Sequence, residues 1–466
     1  MALRKLVFKP GINRDKTNYS AEGGWYSGDK VRFRQGFPEK IGGWNVINFT
    51  SFAGSASSLI SYGTSDSQEV IGIGTNEKMY VLTGTDLTDT TPLRATFTST
   101  TTPSTDNMFA SADGSNVLTV TLASEANEGD YVTFSGVLTF GGIPAVDINK
   151  EFKIFNVEAT NFQITVATTA TSSVGAGGGV GITAAFQISI GFAEGTFGYG
   201  WGTDPYGSGG WGLGGDTRVA LPARVIYQDN FNNDIIFNIK NADIYYWEYD
   251  AALSNRGVLL SSLVNARAVP NKACKTMFAP SGHLLCLGAQ EYKRVLTVGA
   301  SITTINDTGT TATVTTGSSH GLVVGDWVIF SGQAPAVYQG EFQVRTVPST
   351  TTFSYVMPYG PGIGASTTGT YQKIDYNTGS YDGLLIRWAN VNPDIGPQPE
   401  EWKPEITNSA GFLRVQQGSS IITGFITRQE VLIFTDIALT TLQFTGTTEV
   451  FAQNEISTSI NIMGSK

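Results

Sequence analysis

The sequence predicts an all-β protein: a β-propeller-like body of repeated meanders, interrupted by two homologous small inserted β-domains. Three observations predict it. Residues 419–446 (SSIITGFITRQEVLIFTDIALTTLQFTG) split into three β-branched and aromatic runs separated by polar turns. Runs of four to six such residues are strand signals and are too short for helices. The same pattern recurs at 57–84, at 223–249 and, more weakly, at 266–292 around HLLCLG. One meander cannot bury both its faces alone, so recurrence implies packing of copies against each other, as in a radial array. The third observation is a duplication inside the interrupting material, described below.

Composition agrees. Of 466 residues 55 are glycine, 41% are apolar, 11% aromatic and 15% charged. That suits a turn-rich β chain and is too apolar for disorder. Net charge is −10, unevenly spread. Residues 1–45 hold nine Lys/Arg against four Asp/Glu, whereas residues 46–216 hold four against sixteen. An acidic body argues against wrapping nucleic acid, because phosphate neutralisation needs Lys and Arg. The basic start either contacts an acidic partner or folds back on its own acidic body. Cys274 and Cys286 are the two cysteines. They imply no disulfide framework and fit folding in a reducing cytoplasm, with Cys286 a buried thiol. The start MALRKLVFKPG lacks the apolar core of a secretion signal. The uncharged stretch 175–193 is too rich in Gly, Ser and Thr for a membrane span, so no membrane anchor is expected.

In chain order, residues 1–45 read as an irregular N-terminal arm with Gly-Gly-Trp ending at Trp25 and again at Trp44. Between them KVRFR (30–34) alternates basic and apolar residues. It is either an edge strand showing its charges to water or a partner-binding face. Residues 46–100 are the first propeller-like part, 217–298 the second and 373–466 the third. Gln68-Glu69-Val70-Ile71 in the first matches Gln429-Glu430-Val431-Leu432 in the third. Glu69 and Glu430 recur at one place in the repeat, which assigns them to the scaffold.

Residues 101–190 and 299–372 are the inserted β-domains. LTVT, EGDYVTFSG and EFKIFNVEATNFQITVA in one align with ATVT, VGDWVIFSG and EFQVRTVPSTTTFSYVM in the other. The pairs are Gly129/Gly325, Asp130/Asp326, Phe134/Phe330, Ser135/Ser331, Gly136/Gly332, Phe152/Phe342 and Val157/Val347. Gly-Asp before an aromatic strand suits a turn, so Asp130 and Asp326 are read as turn formers rather than ligands. Residues 191–216 form a Gly/aromatic loop with Tyr199, Trp201, Tyr206 and Trp211 as anchors. It either binds a partner or covers the rim.

No catalytic, metal or cofactor constellation is expected. His283 and His320 lie in different modules, and no His/Cys spacing suits zinc. The glycines at 175–181 lack the Lys-Ser/Thr of a phosphate loop. Glu400-Glu401-Trp402 reads as a solvated turn. The sequons at Asn18 and Asn48 carry no meaning without secretion.

Four stretches carry a resemblance. FKPGINRDKTNYSAEGGWYSGDKVRFRQGFPEKIGGW resembles the opening of a family of short-tailed bacteriophage tail proteins. QDNFNNDIIFNIKNADIYYWEY and LLIRWANVNPDIGPQPEEWKPEITNSAGFLRV resemble its middle, and SIITGFITRQEVLIFTDIALTTLQFTG its later part. The last also resembles packaged-DNA stabilisation proteins, the tail hub or nozzle components of podoviruses. The resemblance implies a virion structural protein, assembled in the host cytoplasm, and no enzyme. It implies a homo-hexameric ring below the portal and adaptor that retains packaged DNA and passes it during ejection. Implied partners are the head-to-tail adaptor ring, tail fibre or spike proteins, and double-stranded DNA that slides through without specific binding. An acidic channel wall would repel phosphate. Trp25, Lys30, Arg32 and Arg34 are the candidate subunit or adaptor contacts, with Trp201 and Trp211 as further partner contacts. Chains of this family continue past the point where NEISTSINIMGSK ends here. The meander at 419–446 is therefore expected to be completed by the N-terminal arm, a neighbouring subunit or further chain.

A rival reading is a host-surface adhesin that stacks sugar rings on Tyr199, Trp201, Tyr206 and Trp211. Another is a polysaccharide-degrading tail protein with a carboxylate pair.

Overall fold

A computed structural model describes the chain except residues 1–8, 15–16, 18, 20–22, 43–50, 99–105, 123–125, 127, 189–224, 250–254, 334, 361–364, 393–395, 398, 448, 461 and 463–466. The regular structure of the described residues is almost wholly β, in small antiparallel sheets. Two compact units are present, residues 1–51 and 52–466.

In the first unit Val31–Arg34 pairs with Phe37–Lys40 as a hairpin. Gln35 and Gly36 form its turn, both with positive φ (51° and 86°), the two-residue geometry that matches strand twist.

The second unit holds four meanders, each a four-stranded antiparallel sheet. Meander I is Ala56–Gly63, Glu69–Thr75, Met79–Thr83 and Asp86–Asp89. Meander II is Ile226–Phe231, Asp234–Ile239, Ile244–Trp247 and Val258–Leu259. Meander III is Ala273–Phe278, Leu284–Gln290, Tyr381–Trp388 and Gly411–Arg414. Meander IV is Ile421–Ile426, Glu430–Thr435, Leu439–Phe444 and Phe451–Ser457. The fourth strand of IV corrects the expectation that this meander needs an outside partner. Residues 451–457 come back along Leu439–Phe444 and pair with it antiparallel, with one bulge between Leu439 and Thr440. Polar residues in that strand (AQNEIS) hid it from a hydrophobic pattern search.

The meanders stack in chain order through their first two strands: I on II, II on III, III on IV. Burial follows position. In II the strand DIIFNI and in III the strand LLCLGAQ are buried along nearly their whole length, because a neighbour covers each face. In IV the strand EVLIFT alternates buried and half-buried, the sign of one covered face. Each seam has a polar tie. Tyr62 donates to the carbonyl of Asn233 at 2.8 Å. Asn238, fully buried, donates to the carbonyl of Ala273 (3.0 Å) and accepts from the backbone and hydroxyl of Thr276 (both 2.9 Å). Lys275 donates to the carbonyl of Gly424 at 2.7 Å. Gly424 lets the last seam close: a Cβ there would stand 2.5 Å from Leu287 Cδ1, and the leucine would have to shift.

Two turns of the repeat share one lock. The Thr75 hydroxyl accepts from the backbone of Lys78 (2.8 Å), and Thr435 from that of Ala438 (2.9 Å); both threonines are fully buried. Neither was evident in the matching of 68–71 with 429–432, although Thr75 stands four residues and Thr435 three residues past that match.

Insert B lies within meander III, between Leu284–Gln290 and Tyr381–Trp388. Ala300–Thr308, Thr311–Thr316, Thr352–Val356, Gly340–Ser349, Trp327–Ser331 and Thr370–Asp375 pair in that order and close on themselves as a six-stranded barrel. Val295–Leu296 extends the sheet. Long strands such as Gly340–Ser349 pass from one side of the barrel to the other. Its core is Ile305, Val314, Phe330, Tyr338, Phe353 and Tyr355, among others.

Insert A lies between meanders I and II and has the same pairing order, divided into two sheets. One joins Glu151–Lys153, Tyr131–Ser135, Thr183–Gln187 and Leu93–Thr98; the other Asn161–Thr165, Val117–Thr121, Phe109–Ser111 and Val174–Gly177. One core of Phe109, Phe134, Phe162, Phe186 and aliphatic residues fills the space between them. The duplicated glycines Gly129/Gly325 and Gly136/Gly332 all have positive φ, between 78° and 97°. The inserts start earlier than 101 and 299: Leu93–Thr98 and Val295–Leu296 already pair within them. Insert B also runs later than 372, through Asp375.

Candidate functional site

On the hairpin, Arg32 and Arg34 point to the exposed side of the alternation, with Val31 and Phe33 half-buried. Arg32 Nε donates to Glu39 across the strands at 3.1 Å. Trp25 packs edge-on to Phe33, ring centroids 6.0 Å apart, and Lys30 is exposed with φ 54°. So Trp25, Lys30, Arg32 and Arg34 belong to one small unit, with Arg32 already held by an exposed ion pair worth little. Trp201 and Trp211, with Tyr199, Tyr206 and Trp44, lie outside the described residues.

The polar chemistry of the second unit concentrates in two joints, one per insert. At joint A the ammonium of Lys78 from meander I lies between Asp89 (2.9 Å) and Glu151 of insert A. Its side chain is 6% exposed. Arg256, from the connection within meander II, reaches Asp89 at 3.6 Å and Glu151 at 3.9 Å. Gln187, nearly fully buried, donates to Glu151. Lys78 also sits 4.5 Å from the ring centroid of Tyr131, whose hydroxyl donates to Glu77. Burial alone would lower the Lys78 ammonium, but Glu151 and Asp89 outweigh it and leave it raised. Burial would raise Asp89, yet the Thr91 backbone, Lys78 and Arg256 leave it lowered.

Joint B repeats this arrangement. Glu341 of the barrel receives Arg294 (2.6 Å), Lys403 (2.8 Å) and the Tyr376 hydroxyl (2.9 Å), with Arg267 at 3.6 Å. Arg267 pairs with Glu401 at 2.7 Å and lies 5.5 Å from the Trp327 ring centroid. Trp327 Nε1 donates to the carbonyl of Ala266 at 2.6 Å. Burial would raise the Glu341 carboxyl; Lys403, Tyr376 and Arg294 hold it lowered.

The two joints use equivalent residues. Glu151 and Glu341 each precede the duplicated Phe152/Phe342, and Tyr131 and Trp327 each follow the duplicated Asp130/Asp326. Each insert thus presents one Glu and one aromatic ring to a cation of the meander body, the buried Lys78 in one case and the half-buried Arg267 in the other. These four residues were missed as functional candidates. The signal was their identical offset in the two aligned segments.

Two expectations change here. Glu400-Glu401-Trp402 is not a solvated turn: Trp402 is fully buried and Glu401 holds Arg267. Their neighbours explain it, because Arg267 and Glu401 form a β-bridge that threads the segment into the core. Asp326 does form its turn, accepting from the backbone of Val323 at 2.9 Å, but it also receives Lys373 at 2.8 Å. Asp130 is buried and bound by Arg94 at 3.0 Å.

Beside joint B, Arg387 of meander III is fully buried. Its guanidinium donates to the carbonyls of Ala268 (2.6 Å), Gln290 (3.2 Å) and Trp402 (3.4 Å). Burial lowers it to about 10. Ala268 itself holds φ 59°, a left-handed backbone unusual for alanine. Among the described residues no group of three or more His, Cys, Asp or Glu is placed to hold a metal. No described helix is long and apolar enough to cross a membrane.

No protein-family model matches this chain, and no curated protein does. Among solved structures it is similar to "Phage phi92 endosialidase", with TM-score 0.18 and 11% sequence identity, over 92% of this chain and 79% of that one.

Proposed function

We propose that this chain is a structural protein of a short-tailed phage virion, a tail hub or nozzle subunit without enzymatic activity. The observation that supports it is the pair of joints. The same Glu and aromatic ring of each duplicated insert clamp a cation of the meander body, the buried Lys78 at one joint and the half-buried Arg267 at the other. Each seam between meanders carries its own polar tie as well. Breaking the buried Lys78 ion pair costs several kcal/mol, roughly 3–5, and losing one of the seam hydrogen bonds about 1 kcal/mol. Polar groups are thus arranged to keep modules in fixed relative positions, as a ring component under mechanical load requires.

In this reading the four stacked meanders are an arc of a propeller-like body. Subunits assemble in the host cytoplasm into a homo-hexamer below the portal and adaptor. The acidic body repels the phosphates of DNA passing through. Trp25, Lys30, Arg32 and Arg34 contact a neighbouring subunit or the adaptor, and fibre or spike proteins dock on the rim.

Native mass measurement and electron microscopy of the purified chain, with labelled virions, test this. Six-fold rings and label at the tail below the portal are the expected result. Trimers, with label at fibre or spike tips, would overturn it in favour of a glycan-binding adhesin or a polysaccharide-degrading tail protein.

A further inference from the structure

Beside joint B a cleft of about 340 Å³ opens between the barrel and the connection from meander II to III. The barrel side supplies Asp326, Trp327, Asp375 and Tyr376; the other side supplies Ser262 and Asn271. Its lining mixes polar and apolar groups, with aromatic rings, carboxylates and the Lys373 ammonium on the barrel side and an amide and a hydroxyl opposite. The walls are fixed in advance. Trp327 is tied to Ala266 and Arg267, Tyr376 to Glu341, and Asn271 accepts from Asn377 at 3.0 Å. Clefts at module boundaries with a few convergent polar groups on an apolar lining are the ordinary form of a small-ligand site.

The two copies of the duplication differ at this point. In insert A the equivalent Asp130 is 5% exposed and closed over by Arg94. In the barrel Asp326 takes Lys373 and lines the cleft, while Asp375 is exposed and has no ion pair among the described residues. One oxygen of Asp375 accepts from the backbone of Asn377 at 3.0 Å, which fixes the carboxylate and leaves acceptor capacity.

We propose that this cleft between barrel and meander body binds a neutral saccharide unit. Ring surface from the half-buried Trp327, backed by the buried Tyr376, suits the apolar face of a sugar ring. Asp375 and Asn271 suit its hydroxyls, since a carboxylate accepts from two neighbouring O–H groups and an amide both donates and accepts. Asp326 is balanced by Lys373 and Asp375 is not balanced, so the cleft is net negative and rejects acidic sugars. This inference rests on the cleft's lining alone and not on the hub reading.

The test is a titration of the full chain with lactose, maltose, N,N′-diacetylchitobiose and sialyllactose, followed by saturation-transfer NMR and tryptophan fluorescence. At least one neutral sugar is expected to bind with Kd on the order of 1 mM, ordinary for one ring in a shallow site. Asp375→Ala, at an exposed position, is expected to weaken it about tenfold by removing a charged acceptor. Ser262→Trp, also exposed, is expected to block it by filling the cleft. Thermal midpoints of both variants serve as folding controls, and Asn271→Ala replaces either one that unfolds. No neutral sugar binding at concentrations about tenfold above that Kd overturns the proposal. So does binding that survives the variants, or preference for sialyllactose.

Discussion

Replacing Glu341 with glutamine tests the idea that joint B holds the barrel to the meanders. The carboxylate has three cationic neighbours at 2.6, 2.8 and 3.6 Å and a tyrosine hydroxyl at 2.9 Å. Its side chain is 16% exposed, so solvent screens it little. Glutamine keeps the shape and one acceptor but removes the charge. Removing one partner of a buried pair costs roughly 3–5 kcal/mol. Here Arg267 keeps Glu401 at 2.7 Å, Lys403 keeps Glu405 at 2.8 Å, and Arg294 is partly solvated. The lower end, about 3 kcal/mol, is therefore expected. The barrel has its own closed sheet and core, so the loss should appear first at the joint. Hydrogen exchange should quicken at residues 294–297 and 401–405 before it does in the barrel core. The pH dependence gives a second check. The folded carboxyl is lowered below its usual value. Its stabilisation is therefore complete above the unfolded pKa, about 4.3, and disappears as pH falls through the lowered folded value. The difference between wild type and variant should shrink below about pH 4 accordingly. A urea-unfolding difference under about 0.5 kcal/mol at pH 7 would refute the reasoning, given a destabilised joint is worth several times that. So would a difference that persists unchanged into acid.

Two further predictions follow from single residues. His283 is buried between meanders III and IV, 5.1 Å and 5.4 Å from the ring centroids of Phe451 and Phe444, and burial lowers it to about 4. Because the unfolded chain takes the proton first, stability should fall as pH drops from about 6.5 to about 4, by roughly 3 kcal/mol in total; chemical denaturation at stepped pH measures this, and a His283→Gln variant should lack that component. Ala268→Gly should leave the fold intact and shift stability upward by up to about 1 kcal/mol, because glycine adopts the left-handed backbone without steric cost; a thermal midpoint lowered by several degrees would show that Ala268 is not strained.

Much of the architecture was legible in the sequence. Short β-branched runs mark 57–84, 223–249 and 419–446, and meanders I, II and IV form there. Period-two patterns survive translation because a strand has only two faces. The duplicated glycines were legible for the same local reason: only positive φ makes those turns, and glycine adopts it freely. Strand Phe451–Ser457 was not legible, since its pairing with Leu439–Phe444 is made by backbone groups that any sequence carries. Glu401 and Trp402 were misread because a run of carboxylates beside a proline resembles a solvated turn. Only the distant Arg267 turns it into a buried joint.

By itself, then, the sequence determined most of the strands, their turns and the kinship of the two inserts, because strand and turn signals rest on interactions within a few residues. Tertiary structure alone decided which meander faces are covered, that insert B closes as a barrel while insert A divides into two sheets, and that Glu151 meets a buried cation and Glu341 a cluster of half-buried ones. Those outcomes depend on contacts between residues tens to hundreds of positions apart, such as Lys78 with Glu151 and Arg267 with Glu401. Burial gives these charges their strength, because a pair that would be nearly neutral in water becomes a strong constraint once solvent is excluded.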